Sequence, residues 1–165
     1  MLTLITLIII IAIFINKNNR KKALNKIYLT LIQTAGLENV KRMKLKAFDF
    51  EMLYNNKIFL IKMIYHPSRH EINVNSKDYW QINRGVVSSR KSGEQMKGVY
   101  DLINYNLADN GYPKNTIKLY VIYPSSKRMM KVINECEMKF IKPEMDIYGC
   151  RINNYTDLKE NIDKF

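Results

Sequence analysis

Cysteine is scarce in this chain of 165 residues, with only Cys136 and Cys150 present. Two thiols do not make a disulfide framework, and they read as reduced cysteines of a cytosolic domain. Histidine is equally rare, at His66 and His70, and no Ser–His–acid or Cys–His arrangement can be laid out from the spacing. The six glycines form neither a P-loop nor a dinucleotide fingerprint. No internal repeat or low-complexity block stands out. Acid is in deficit, with 15 Asp and Glu against 27 Lys and Arg, for a net charge of +12. Residues 1–15 carry no charged side chain. No lysine or arginine stands ahead of that apolar run and no small-x-small site follows it, which argues against a cleaved signal peptide.

The run itself, "MLTLITLIIIIAIFI", rises roughly 22 Å as a helix at about 1.5 Å per residue, against a hydrocarbon core of roughly 30 Å. Residues 16–46 follow with nine cations against Glu38 alone. Excess charge packed behind an apolar segment suits anionic lipid better than a DNA-binding face. The positive-inside rule then predicts a single-pass anchor over residues 1–19, N-terminus outside, holding a cytoplasmic domain of residues 20–165 at the cell membrane. Lipid contact is expected through residues 1–22, with Lys17, Arg20, Lys21, Lys22 and Lys26 at the membrane surface.

The length allows one domain with a real core. Leu24, Ile27, Tyr28, Leu31 and Ile32 recur at helical spacing over 20–36, and Gly36 is a natural stop. In "LKAFDFEMLY" (45–54), Phe48, Phe50 and Met52 alternate with Asp49 and Glu51, which predicts a strand with one acidic face. Asn55–Asn56 suits a tight turn. "KIFLIKMIY" (57–65) returns as a partner apolar on both faces, hence central. "EINVN" (71–75) reads as a third strand, 94–107 as a helix, and "TIKLYVIYP" (116–124) as a buried strand. "SSKRMMKVINECEMKFIKP" (125–143) reads as a short helix followed by a strand, "MDIYGCRI" (145–152) as a last strand or turn, and the tail as a short helix. The expected fold is α/β: a single mixed-sheet domain with an α-β-β-β-α-β core.

That order, the acid-bearing "FDFEM" followed by "FLIKMIY", and Trp80 ahead of "SGEQMKGVYDLI" resemble the restriction-endonuclease-like, or PD-(D/E)xK, superfamily, and within it the nuclease-related domain branch. The resemblance covers about residues 24–125, with Trp80 and Gln95 at matching positions. It implies an aspartate on one strand and an acidic-x-Lys motif on the next, together holding a divalent metal against a phosphate. Asp49 matches the aspartate. In one register the glutamate position holds Lys62 and the lysine position Ile64; in the other Lys62 is the motif lysine and Leu60 replaces the acid. Neither register supplies a carboxylate from the second strand, though Glu51, sharing a face with Asp49, is a candidate substitute. Lys62 is expected either to neutralise Asp49 or Glu51, or to lie at a sheet margin with its head in solvent.

His66 and His70 flank Pro67 and Ser68, so their spacing reads as a solvated turn and not a metal site. "RGVVSSRKSGE" (84–94) offers Arg84, Arg90 and Lys91 as candidate phosphate-binding residues in a surface loop. Tyr100, Tyr105, Tyr112, Tyr120 and Tyr123 read as core edges, and Glu135, Glu137, Glu144 and Asp146 as a solvated face. The leading expectation is an inactive nuclease-like fold used for binding or scaffolding at the inner membrane face, with an unknown protein partner and no cofactor or metal. The alternative is a membrane-tethered nuclease or nucleic-acid binder using magnesium with Asp49, Glu51, Lys62 and Gln95.

Overall fold

The computed structural model describes residues 2–66, 70–83, 94–96, 99–134 and 136–165. The elements, in chain order, are helix α1 (Leu2–Ala35), strands β1 (Val40–Arg42), β2 (Phe50–Tyr54), β3 (Lys57–Tyr65), β4 (Glu71–Val74), β5 (Trp80–Asn83) and β6 (Glu94–Gln95), helix α2 (Tyr100–Ile103), strands β7 (Ile117–Tyr123), β8 (Arg128–Asn134), β9 (Glu137–Phe140) and β10 (Arg151–Asn154), and helix α3 (Leu158–Asn161). The fold is α/β with two mixed sheets, ordered β1-β2-β3-β7-β10 and β6-β5-β4-β8-β9.

α1 is continuous because nothing between Leu2 and Ala35 breaks a helix; it ends where Gly36 turns to φ 90° and donates its amide to the Ile32 carbonyl at 2.8 Å. Its C-terminal half buries Ala23, Ile27 and Leu31, spaced by four, against the first sheet. Ile8–Ile11, Ile13, Phe14 and Ile15 at the other end are exposed. The anchor expected over 1–19, and the membrane location resting on it, are overturned: among the described residues no helix is long and apolar enough to cross a membrane. The apolar run stops at Ile15, well short of a bilayer core, and asparagines and cations occupy the next two turns of the same helix.

β2 and β3 form the expected hairpin. Asn55 and Asn56 both adopt positive φ, 49° and 59°, as a two-residue turn between right-twisted strands requires. β3 is central and apolar on both faces. Phe59, Ile61 and Met63 join Phe50, Met52, Leu119 and Val121 in the core beneath α1, closed at the tail by Leu158, Ile162 and Phe165. Leu60 and Ile64 join Tyr120, Ile122 and Ile152 in a second core, capped by α2 and by Ile72, Val74, Trp80 and Ile82 of the second sheet. β3, β7 and β10 run parallel, whereas β1 and β3 run antiparallel to β2.

Three expectations need correction. The 71–75 strand does not extend the first sheet; β4 pairs with β5 and β8 in the second. The helix expected over 94–107 shrinks to α2, because residues 94–95 form a strand on β5 and the Met96 amide donates to the Trp80 carbonyl at 2.8 Å. Asn104 and Asn106 also disfavour helix beyond Ile103. Where a short helix was expected ahead of a strand, β8 and β9 instead pair antiparallel. There Met130 and Val132 face Phe140 and Met138 across the ladder, a period of two that outweighs local propensity.

The second core gives the fold an alkaline limit. Burial pushes the Cys150 thiol up to about 12 and also raises the Tyr120 phenol. Burial lowers Lys118, which acts in the opposite sense but through a single, less enclosed group. An unfolded chain loses the thiol proton near 9. This contribution to stability is therefore complete below pH 9 and is lost between pH 9 and 12, because the native state then holds more protons than the unfolded one. Urea midpoints are expected to be flat from pH 7 to about 8.5 and to fall steadily above pH 9. A midpoint that rises over that window would contradict these burials.

Candidate functional site

A cleft of about 640 Å³ opens beside the start of β2 and the second half of β3, with Arg20, Lys46, Asp49, Lys62, Gln95 and Asp101 among its lining residues. Asp49 is positioned by backbone first. Its amide donates to the Ile61 carbonyl at 2.8 Å, and its carbonyl accepts from the Met43 amide at 2.9 Å. This holds the residue between β3 and the segment that follows β1. The carboxylate is engaged on both oxygens: Oδ2 accepts the Met63 amide at 2.9 Å, while Oδ1 lies 3.8 Å from both the Arg20 guanidinium and the Lys62 ammonium.

The Lys62 head is held by protein groups at the cleft. Its side chain is 13 % exposed, and Nζ donates to the Lys46 carbonyl at 2.6 Å while facing Asp49. Of the alternatives open in the sequence, the pairing is with Asp49 and not Glu51. A cation in an otherwise apolar strand needs both a counter-charge and an acceptor, and the segment just before β2 supplies both. Lys46 itself pairs with Asp101 of α2 at 3.1 Å.

Glu51 is placed elsewhere. It is absent from the cleft lining and accepts a 2.7 Å hydrogen bond from the Tyr112 hydroxyl. That bond and, above all, burial raise the Tyr112 phenol well above its ordinary value. Leu60 points into the second core. Glu51 is therefore not brought into the cleft beside Asp49. Asp49 faces two cations, and Asp101, the other carboxylate lining the cleft, is paired with Lys46, so a magnesium or manganese ion at Oδ1 would compete with Arg20 and Lys62. Among the described residues no group of three or more His, Cys, Asp or Glu is arranged to hold a metal ion.

Gln95 does line the cleft, delivered by the β5–β6 pairing. Lys17, Lys21, Lys22 and Lys26 are exposed along α1; Arg20, grouped with them in the sequence, instead turns to Asp49. Arg84, Arg90 and Lys91 lie outside the described residues, as does Glu135. His66 and His70, expected in a solvated turn, are both buried, with ring centroids 4.7 Å apart, and His66 lines the cleft; residues 67–69 between them lie outside the described residues. Sequence reasoning missed Arg20, Lys46 and Asp101 as site residues. Nothing local couples helix position 20 or 101 to residue 49; only docking of α1 and α2 on the sheet does.

What remains is a half-open cleft in which Arg20, Lys44, Lys46 and Lys62 outnumber Asp49 and Asp101. It can receive an anionic group by charge and by ammonium and guanidinium donors. No family model, curated protein or solved structure matches this chain.

Proposed function

We propose that this chain is a binding module built on a nuclease-like scaffold that has exchanged its metal site for a cation clasp, and that it carries out no hydrolysis. The observation that carries this reading is the Asp49 carboxylate, engaged by the Met63 amide, Arg20 and Lys62 at 2.9, 3.8 and 3.8 Å. Two features support the restriction-endonuclease-like assignment. Along the chain α1 is followed by β1, β2 and β3 of the first sheet, and α2 by β7 of the same sheet, with β4, β5 and β6 of the second sheet inserted between β3 and α2. Asp49 and Lys62, which the resemblance sets at the glutamate or the lysine position according to register, also meet in space. The cation excess of the cleft points to an anionic group on the partner.

The test is direct. The full chain is titrated with magnesium and manganese by calorimetry and incubated with DNA and RNA. The expected outcome is no saturable heat and no cleavage. Metal-dependent cleavage abolished by Asp49→Ala would sink the proposal. Lys62→Glu adds a second arm. In the register that sets Lys62 at the glutamate position it supplies the carboxylate that the resemblance has there, so the variant should melt lower than the parent and regain several degrees in millimolar manganese, while the parent gains none. No recovery would argue against that register.

A further inference from the structure

We propose that β9 is a self-docking edge, pairing antiparallel with β9 of a second copy of this chain about a two-fold axis at Met138. β9 is the last strand of the second sheet, paired with β8 on one side only, and all four of its residues are exposed. The other side presents unpaired backbone donors and acceptors, a ready template for strand addition. The strand carries Glu137 and Lys139 and no proline, and no described strand is paired on its other side.

The side-chain pattern favours a second copy over any other occupant because it is self-complementary. With Met138 opposite its own symmetry mate, Glu137 falls opposite Lys139 of the other copy, twice. Within one chain Glu137 and Lys139 already pair at 3.2 Å on one face of the strand. That face needs more negative charge than a single chain supplies, because Lys139 sits directly opposite Lys131 in the β8–β9 ladder. A second Glu137 meets the need. The opposite face is apolar: Met138 (55 % exposed) and Phe140 (65 % exposed) lie across from Val132 and Met130. Pairing about Met138 joins the two apolar strips into one. A ladder this short makes a weak, concentration-dependent dimer and not an obligate one. The proposal is independent of the cleft, which lies on other elements.

Sedimentation of the full chain across a concentration series tests it. The mass should rise from 19.5 kDa towards twice that value. Lys139→Glu, which sets Glu against Glu at both ends, should weaken association at least tenfold. The double swap Glu137→Lys with Lys139→Glu should restore it, because opposite charges again face each other. Register is read separately: in a Cys136→Ser background, Met138→Cys should form an interchain disulfide under mild oxidation, since directly opposed Cα atoms of an antiparallel pair are about 4.5–5.5 Å apart. Asn134→Cys, far from the axis, should not. A monomer at every concentration overturns the proposal, as does association indifferent to Lys139→Glu or crosslinking equally efficient at position 134.

Discussion

Trp80→Ala is expected to cost about 4 kcal/mol and to lower the melting temperature by roughly 8–16 °C, read by far-ultraviolet circular dichroism. Trp80 is among the largest fully buried side chains and sits where the two sheets meet. Its ring packs edge-on against Tyr120 at 5.4 Å, so truncation opens a cavity on both sides of the interface. Trp80→Phe separates volume from polarity. The indole Nε1 has no hydrogen-bond partner among the described residues, so phenylalanine removes ring area without orphaning an acceptor and should cost about half as much. Equal losses for the two variants would mean that the indole nitrogen matters and that this account of the core is wrong.

Asp49→Ala should lower stability by about 3 kcal/mol, or roughly 6–12 °C in melting temperature. Two penalties add. The Met63 amide loses its acceptor, which costs about 1–3 kcal/mol for a buried donor. Lys62, mostly enclosed, keeps the Lys46 carbonyl but loses its counter-charge. The Arg20 contact adds little, since that side chain is half exposed and turns to water. Asp49→Asn retains an acceptor for the amide and should recover part of the loss. The decisive comparison is Asp49→Ala with Lys62→Met: removing both charges should cost less than removing the acid alone. If the double variant is the weaker, the pair is not the clasp described above. A catalytic aspartate behaves in the opposite way, since active-site acids are commonly held at some expense to stability.

The β2–β3 hairpin was legible residue by residue. Phe50 and Met52 alternate with Glu51, the Asn-Asn pair accepts positive φ, and β3 is too apolar to be an edge. The α1 stripe and β7 were equally legible, because each depends on a period of four or two within one segment. An isolated lysine in an apolar strand also announced that a carboxylate must lie near it. Local pattern could not say which one. Asp49 and Glu51 are equivalent by spacing, yet Asp49 precedes the strand and its carboxylate reaches the Met63 amide on β3, while Glu51 lies beside the chain segment that brings Tyr112. Arg20 was misread for a related reason: a cation beside an apolar run suggests lipid until the helix is docked on a sheet.

Strand partnership was the other gap. Alternation tells which face of β4, β8 or β9 is apolar but carries no information about which strand lies alongside, so the second sheet was invisible before folding. By itself, the sequence determined the hairpin, the helix stripe, the basic surplus and the lack of a second-strand carboxylate, since these are properties of single segments. Tertiary structure alone decided the partner of Lys62, the diversion of Glu51, the recruitment of Arg20 and the free edge at β9. Each of these depends on contacts between residues distant in the chain, and those are set by packing two cores at once.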